Sequence, residues 1–291
     1  MPPPLGCWCG RGELRTQFRT KKFGLVRCSA CGCYRIDPPP VGGDEESAAF
    51  YTDYYGKGQF AEKEEVHEEP LRATRDSRFW RVVERYPDLG QPKEAVADIG
   101  SGEGGLCAEL KAAGWRSVAG FDLSSTRVAR ARKRHPGIRF EDRAFPGDLP
   151  ERSLDLVVLD NVVEHLTDPP ETLRTVARYL KPSGRVALIT PNMLSGQFRL
   201  LGRRWTPELS PHSHIFLFTE QPLKKLLTEA GFAVEAMGSY QLPPSSFRFI
   251  AGEFWRGKIK EALWHAMQEA GATYARWIKA GPMLYAVGRR I

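Results

Sequence analysis

The chain has 291 residues, of which 42% are hydrophobic and 26% charged, with a mean hydropathy of −0.39. That composition excludes a disordered or fibrous chain and accommodates one large α/β domain with or without a small appendage. No apolar run approaches the roughly 18–20 residues that cross a bilayer, and the opening MPPPLGCWCG has neither the basic nor the apolar region of a secretory signal; a cytoplasmic location is the expectation. Lys and Arg number 42 against 35 Asp and Glu, a net +7 with a pI near 9.1, which hints at acidic partners.

Five of the six cysteines precede residue 34: Cys7, Cys9, Cys28, Cys31 and Cys33. Clustered thiols in a cytosolic chain point to metal rather than disulfides. Cys7, Cys9, Cys28 and Cys31 are the expected ligands of a structural zinc, held as two pairs on tight turns at about 2.3 Å per bond. Cys33 is the spare, able to replace Cys7 or Cys9 because the first pair is one residue shorter than the usual C-x-x-C. FRTKKFGLVRC reads as a strand returning the chain to the second pair. Residues 1–40 thus form a zinc-ribbon-like leader.

Residues 41–94 read as a linker, rich in Pro, Gly and acid, followed by a helical cap; Tyr51, Tyr54 and Tyr55 are candidates to lid a pocket. From residue 95 strands and helices alternate. AVADI at 95–99, SVAGF at 117–121, GIRF at 137–140, LDLVVL at 154–159 and RVALIT at 185–190 are apolar strands. The helices fall at about 105–113, 124–134 and 170–180, the last stopped by Lys181-Pro182-Ser183-Gly184. Strands without polar alternation imply a parallel sheet covered on both faces, a doubly wound α/β domain over 95–291.

The glycine loop after the first of these strands carries the chemistry. In DIGSGEGG, a strand ends and a helix begins where bare backbone approaches a ligand. Asp122, at the end of the next strand, is placed to accept from ribose hydroxyls. Gly100, Gly102 and Gly105 also satisfy the dinucleotide pattern G-x-G-x-x-G. Asp98 two residues before the first glycine, and Asp160-Asn161 at the end of the fourth strand, favour a methyl donor over a nicotinamide cofactor.

DIGSGEGG, GFDLS, LDLVVLDNVVEHLTDP, LKPSGRVALITPN and HSHIFLFTEQPLKKLLTEAGF resemble successive motifs of class I S-adenosylmethionine (SAM)-dependent methyltransferases, and the cysteine-rich opening is similar to that of bacterial members with a zinc-binding leader. The resemblance implies a seven-stranded, mostly parallel sheet with an antiparallel final strand, PMLYAVGRR. It implies a SAM site with Gly100, Ser101 and Gly102 along the methionine and ribose, Asp122 on the ribose diol, and Asp160 or Asn161 at the methionine end. Asp98, Gly104, Leu123 and Asp142 complete the expected cofactor set. The acid that contacts the adenine amine has no clean match, since Asp142 and Arg143 are both off pattern.

Glu164, His165 and His214 are the candidate catalytic residues. In some members of the resembling family an E-x-x-E-H segment with a later His forms a divalent-metal site. Here Asn161 stands where the first Glu would be, and the lost charge weakens a hard-cation site. Three readings stay open: a degraded metal site, hydrogen-bonded bracing of the loop, or His165 or His214 as general base. Over about 243–280 a helical insert places Trp255, Leu263, Met267, Tyr274, Trp277 and Ile278 among cations. It reads as a substrate cap, a partner interface, or a peripheral membrane contact through 254–279. The overall expectation is a methyltransferase acting on a small-molecule, sugar- or lipid-linked acceptor. A nucleic-acid methyltransferase and a non-catalytic SAM-binding scaffold are the alternatives.

Overall fold

The computed structural model describes residues 6–40, 78–202, 210–240, 270, 273–274 and 280–291. Of the linker and helical cap, residues 78–94 lie within them, and they include the helix Arg78–Arg85 (α1). Tyr51, Tyr54, Tyr55 and most of the 243–280 insert lie outside the described residues.

Unbroken apolar runs build the central sheet. β4 (Ala95–Ile99), β5 (Ser117–Phe121), β6 (Arg139–Glu141), β7 (Leu154–Asp160) and β8 (Leu180–Pro191) run parallel, in the order β8-β7-β4-β5-β6. β11 (Met283–Arg290) inserts antiparallel between β8 and β10 (Phe232–Tyr240) and completes seven strands. The expected sheet and its antiparallel last strand are therefore present.

Successive residues of β7 serve opposite faces: Val157 and Leu159 join one core, Leu156 and Val158 the other. The first core lies under α4 (Pro169–Tyr179) and α6 (Glu220–Glu229). The second lies under α1, α2 (Gly105–Ala112) and α3 (Ser125–Arg134). A parallel strand buried on both faces needs apolar residues at every position, which is why these segments show no polar alternation.

Several boundaries move. Pro169 opens α4 a residue early because Asp168 caps it, accepting from the Glu171 N–H at 3.0 Å. Lys181–Gly184 is strand rather than loop: Leu180 pairs with Leu154 and Arg185 with Leu156, so the intervening residues bulge while Lys181 reaches Asp155 at 2.8 Å. A short helix α5 (Gly196–Leu201) and a two-residue strand β9 (Phe216–Leu217) went unforeseen, both being too short for periodicity to register.

The leader corrects one expectation and adds a connection. FRTKKFGLVRC is not one strand: it holds the end of β1 (Leu14–Arg19), a turn, and β2 (Gly24–Cys28), which returns the chain to the second pair. Thr20 turns the chain, its hydroxyl accepting from the Lys22 and Phe23 amides. β3 (Tyr34–Asp37) follows, and β9 from the methyltransferase-like half joins as the fourth strand, in the order β1-β2-β3-β9. Cys7, Cys28, Cys31 and Cys33 belong to the same buried cluster as α4 and α6. The leader is built into one face of the domain rather than strung beside it.

Candidate active site

At the carboxyl edge of β4 the backbone takes left-handed conformations that a side chain would oppose. Gly100 has φ 74°, and a Cβ there would stand 2.4 Å from Val162 Cγ2. The bare loop lets the Gly100 and Ser101 amides donate to the Phe121 carbonyl at 2.7 and 3.0 Å. Asp122 then collects two more amides: Gly102 N–H at 2.9 Å and Ser124 N–H at 2.9 Å, one on each carboxylate oxygen. Its position is thus fixed by backbone on both sides, with lone pairs left for a ligand's hydroxyls.

Gly100, Asp122 and Leu123 line a cleft of about 350 Å³, within the range of small-molecule sites. Phe121 and Phe145 form an apolar wall, with ring centroids 5.4 Å apart and nearly perpendicular. Asn161, Val162 and His165 close the opposite side. Asn161 holds φ 54°, a left-handed conformation that Asn tolerates better than most residues and that recurs at functional sites.

Other expected cofactor residues stand back from the opening. Asp98 is buried beneath the loop, where Cys107 donates to it at 3.6 Å; burial, with Asp160 nearby, holds its carboxyl well above the usual range. Ser101 is buried against Gly120. Gly104 caps α2 in a left-handed conformation, where a Cβ would strike Phe140, so its role is local. Asp142 is turned out to Arg132 at 2.9 Å, which lowers its pKa; Arg143, Ala144 and Phe145 line the cleft in its place. The chain makes this exchange because Glu141 turns inward, paired with Arg139 and Arg143. Asp160 pairs with Arg78 at 2.9 Å. Arg78 was not foreseen: one cation among 42, far from every motif, it carries no signal in the sequence.

Glu164, His165 and His214 do converge. One ligand-type atom of each lies within 4.8 Å of the others. Glu164 is fully buried, and burial pushes its carboxyl up to about 8. It accepts from Thr190 Oγ1 at 2.9 Å, and the Asn161 carboxamide bridges it to Arg78 when oriented with its nitrogen toward Glu164 and its oxygen toward the guanidinium. His165 Nδ1 lies 2.9 Å from the Ser213 carbonyl. A carbonyl only accepts, so the proton sits on Nδ1 and the lone pair on Nε2. Burial lowers the His165 pKa, keeping the ring neutral near pH 7. His214 packs edge-on against it, centroids 4.7 Å apart.

Comparison with known proteins agrees with this geometry. A family profile described as "Methyltransferase domain" matches residues 71–237, more than half of the chain. The chain belongs to this family. The "Probable S-adenosylmethionine-dependent methyltransferase" of Mycobacterium tuberculosis is 35% identical over 143 residues, covering 49% of this chain and 50% of that protein. The chain therefore spans about half the length of the first curated relatives it matches. The "Ubiquinone biosynthesis O-methyltransferase" of Bordetella avium is 29% identical over 186 residues, 60% of this chain and 76% of that one. Among solved structures, the Burkholderia thailandensis 1,6-didemethyltoxoflavin-N1-methyltransferase, bound to 1,6-didemethyltoxoflavin and S-adenosylhomocysteine, shares the fold. Its TM-score is 0.51 at 15% identity, covering 95% of this chain and 99% of that one.

The leader's sheet is joined by β9, which begins two residues after His214. Cys7, Cys9, Cys28 and Cys31 converge with sulfurs within 4.8 Å of one another; Cys7–Cys31 is 3.3 Å and Cys9–Cys28 is 3.5 Å. A tetrahedron with bonds of about 2.3 Å needs sulfurs about 3.8 Å apart, so this donor set fits zinc. The contact between Cys7 and Cys31 brings Cys31 down to about 5 and pushes Cys7 up, and burial raises Cys9. Cys33 stands apart, its thiol directed to the Tyr34 and Leu217 carbonyls. From here two backbone bonds reach the site: Ile36 N–H donates to the Ile215 carbonyl at 3.1 Å, and Ile215 N–H donates to the Glu164 carbonyl at 2.8 Å. His214 is thus next to a residue clamped between the leader and the Glu164–His165 turn.

Proposed function

We propose that the protein is a SAM-dependent methyltransferase whose acceptor is a small molecule, free or linked to a sugar or lipid. One observation carries the reading: an aspartate held by two loop amides beside a naked glycine, at the rim of an apolar cleft on the carboxyl edge of a parallel sheet. Asp122 accepts from the ribose hydroxyls, the Phe121–Phe145 wall covers the base, and Asn161, with the Asp160–Arg78 pair behind it, meets the charged amino-acid portion. When bound, SAM supplies a methyl group already activated by its sulfonium. The protein's work is then to place the acceptor, exclude water and hold one proton.

That proton goes to His165 Nε2. The ring is neutral and lines the cleft, and its tautomer is set from behind by Ser213. We favour this over a metal site at the same residues, because Glu164 is committed to Thr190 and shares Asn161 with the cation Arg78. The small-molecule class is supported by the relative named for ubiquinone biosynthesis. In the leader, zinc on Cys7, Cys9, Cys28 and Cys31 is a structural centre, since four thiolates leave no position for chemistry.

Calorimetric titration with SAM and with NAD is the first test: binding of SAM alone is expected, and binding of NAD alone overturns the reading. Labelled SAM with fractionated extract then separates acceptors. Label in small molecules or lipids is expected, label in RNA replaces the acceptor class, and no label with intact SAM binding means a scaffold.

A further inference from the structure

The leader carries a concentration of charge that the methyl-transfer reading leaves unused. Within residues 1–40, seven Lys/Arg stand against Glu13 and Asp37, +5 of the chain's +7. Three of these arginines have acid partners: Arg11 with Glu229, and Arg19 and Arg35 with Asp37. Arg15 and Arg27 have none among the described residues. Yet they are the directly opposed pair of the β1–β2 ladder, an arrangement in which like charges lower hairpin stability.

The surroundings are shaped around that pair. Arg15 and Arg27 line a recess of about 230 Å³ with Gln17, Ser29 and Gly32. Gln17 is the extra residue of a bulge, where the register slips between Thr16 and Phe18, and such bulges re-aim side chains beside sites. The Arg27 guanidinium is prepositioned: it donates through Nε to the Gly32 carbonyl at 3.3 Å and lies 5.4 Å from the Tyr34 ring centroid. Gly32, at φ 75°, keeps the turn clear of it; a Cβ there would stand 3.3 Å from Arg27 Nη2.

We propose that this recess is a phosphate-binding site, taking the phosphate group of a small phosphorylated ligand between the two guanidiniums. The two arginines border one recess from adjacent strands, guanidinium forks are suited to tetrahedral oxyanions, and binding removes the like-charge cost. The Ser29 hydroxyl and Gln17 amide border the same recess with neutral donors. Lys21 and Lys22, at the hairpin turn, add attraction without shape. The site is independent of the cofactor cleft and stands whether or not the methyl-transfer reading does.

The test titrates the full zinc-loaded chain with inorganic phosphate at constant ionic strength, following arginine Nε–H signals by NMR. Saturable shifts at Arg15 and Arg27 are expected. Arg15→Gln and Arg27→Gln should each weaken binding about tenfold, while Lys21→Gln with Lys22→Gln changes it less than about twofold. A sugar phosphate should displace phosphate from the same residues. Equal weakening by the lysine pair would overturn the proposal in favour of diffuse charge. Loss of zinc in Arg27→Gln without loss of phosphate affinity would make the pair a counter-charge for the thiolates instead. Displacement by a short RNA but not by the sugar phosphate would overturn the small-ligand assignment.

Discussion

The proposed cofactor end of the cleft and its proposed catalytic end are built by different means. At the cofactor end, Asp98, Gly100, Gly102 and Asp122 lie within one strand–loop–helix–strand unit, and their geometry follows from local backbone and one hydrogen-bonded aspartate. At the catalytic end, His165 is set by Ser213, Glu164 by Thr190, and Ile215 by both Glu164 and Ile36 of the leader. The contact between Cys33 and Leu217 spans 184 residues. A local unit tolerates damage elsewhere in the chain, whereas a site closed by long-range pairing depends on every partner being folded.

Removing the zinc proposed for the leader should therefore separate the two ends most sharply. Chelation is expected to raise amide exchange at Ile36 and Ile215 by about 100-fold or more, while Ile99 stays protected and SAM affinity changes little. Exchange mass spectrometry with calorimetry on one sample reads both. Equal loss of protection in β4 would show a single folding unit and erase the distinction.

Gly100→Ala attacks the other end. The new methyl meets Val162 in a backbone region that costs about 1–2 kcal/mol for a side chain. SAM affinity is expected to fall about 100-fold, with zinc content unchanged by elemental analysis. Asp122→Asn is gentler, keeping the shape but removing the charge that two amides share. A loss of about tenfold in SAM affinity is expected by calorimetry.

A further effect lies in pH. Glu164 is held at about 8 by burial, above the ordinary 4.5, so the folded state keeps a proton that the unfolded state has released. The stability this contributes is complete below pH 4.5 and declines as pH rises toward 8, by at most about 1.4 kcal/mol per unit. Glu164→Gln should flatten that slope in denaturant titrations run between pH 5 and 8. Wild-type stability that rises over the same range through this residue would contradict the assignment.

Legibility in the sequence followed the same division. Apolar runs and the glycine loop marked five parallel strands, and the pairing of two cysteine knuckles was readable because ligand spacing is a local property. Asp142 follows the last residue of the three-residue strand β6, and which of the neighbouring carboxylates Glu141 and Asp142 turns inward depends on where that strand ends. The β1–β2 turn was missed because Thr20-Lys21-Lys22 lacks the Gly or Asn that usually announces a hairpin. Arg78, Thr190 and Ser213 had no signal at all, since each acts through a neighbour remote in sequence.

The alternation of strand and helix, the bare loop and the four-thiol set were dictated by residue order, because backbone conformation and short-range spacing are local consequences of side-chain size and branching. Tertiary packing alone decided that β9 would complete the leader's sheet and seat His214 against His165. Such pairings depend on which distant segments can bury their edges against one another, and no stretch of chain contains that information by itself.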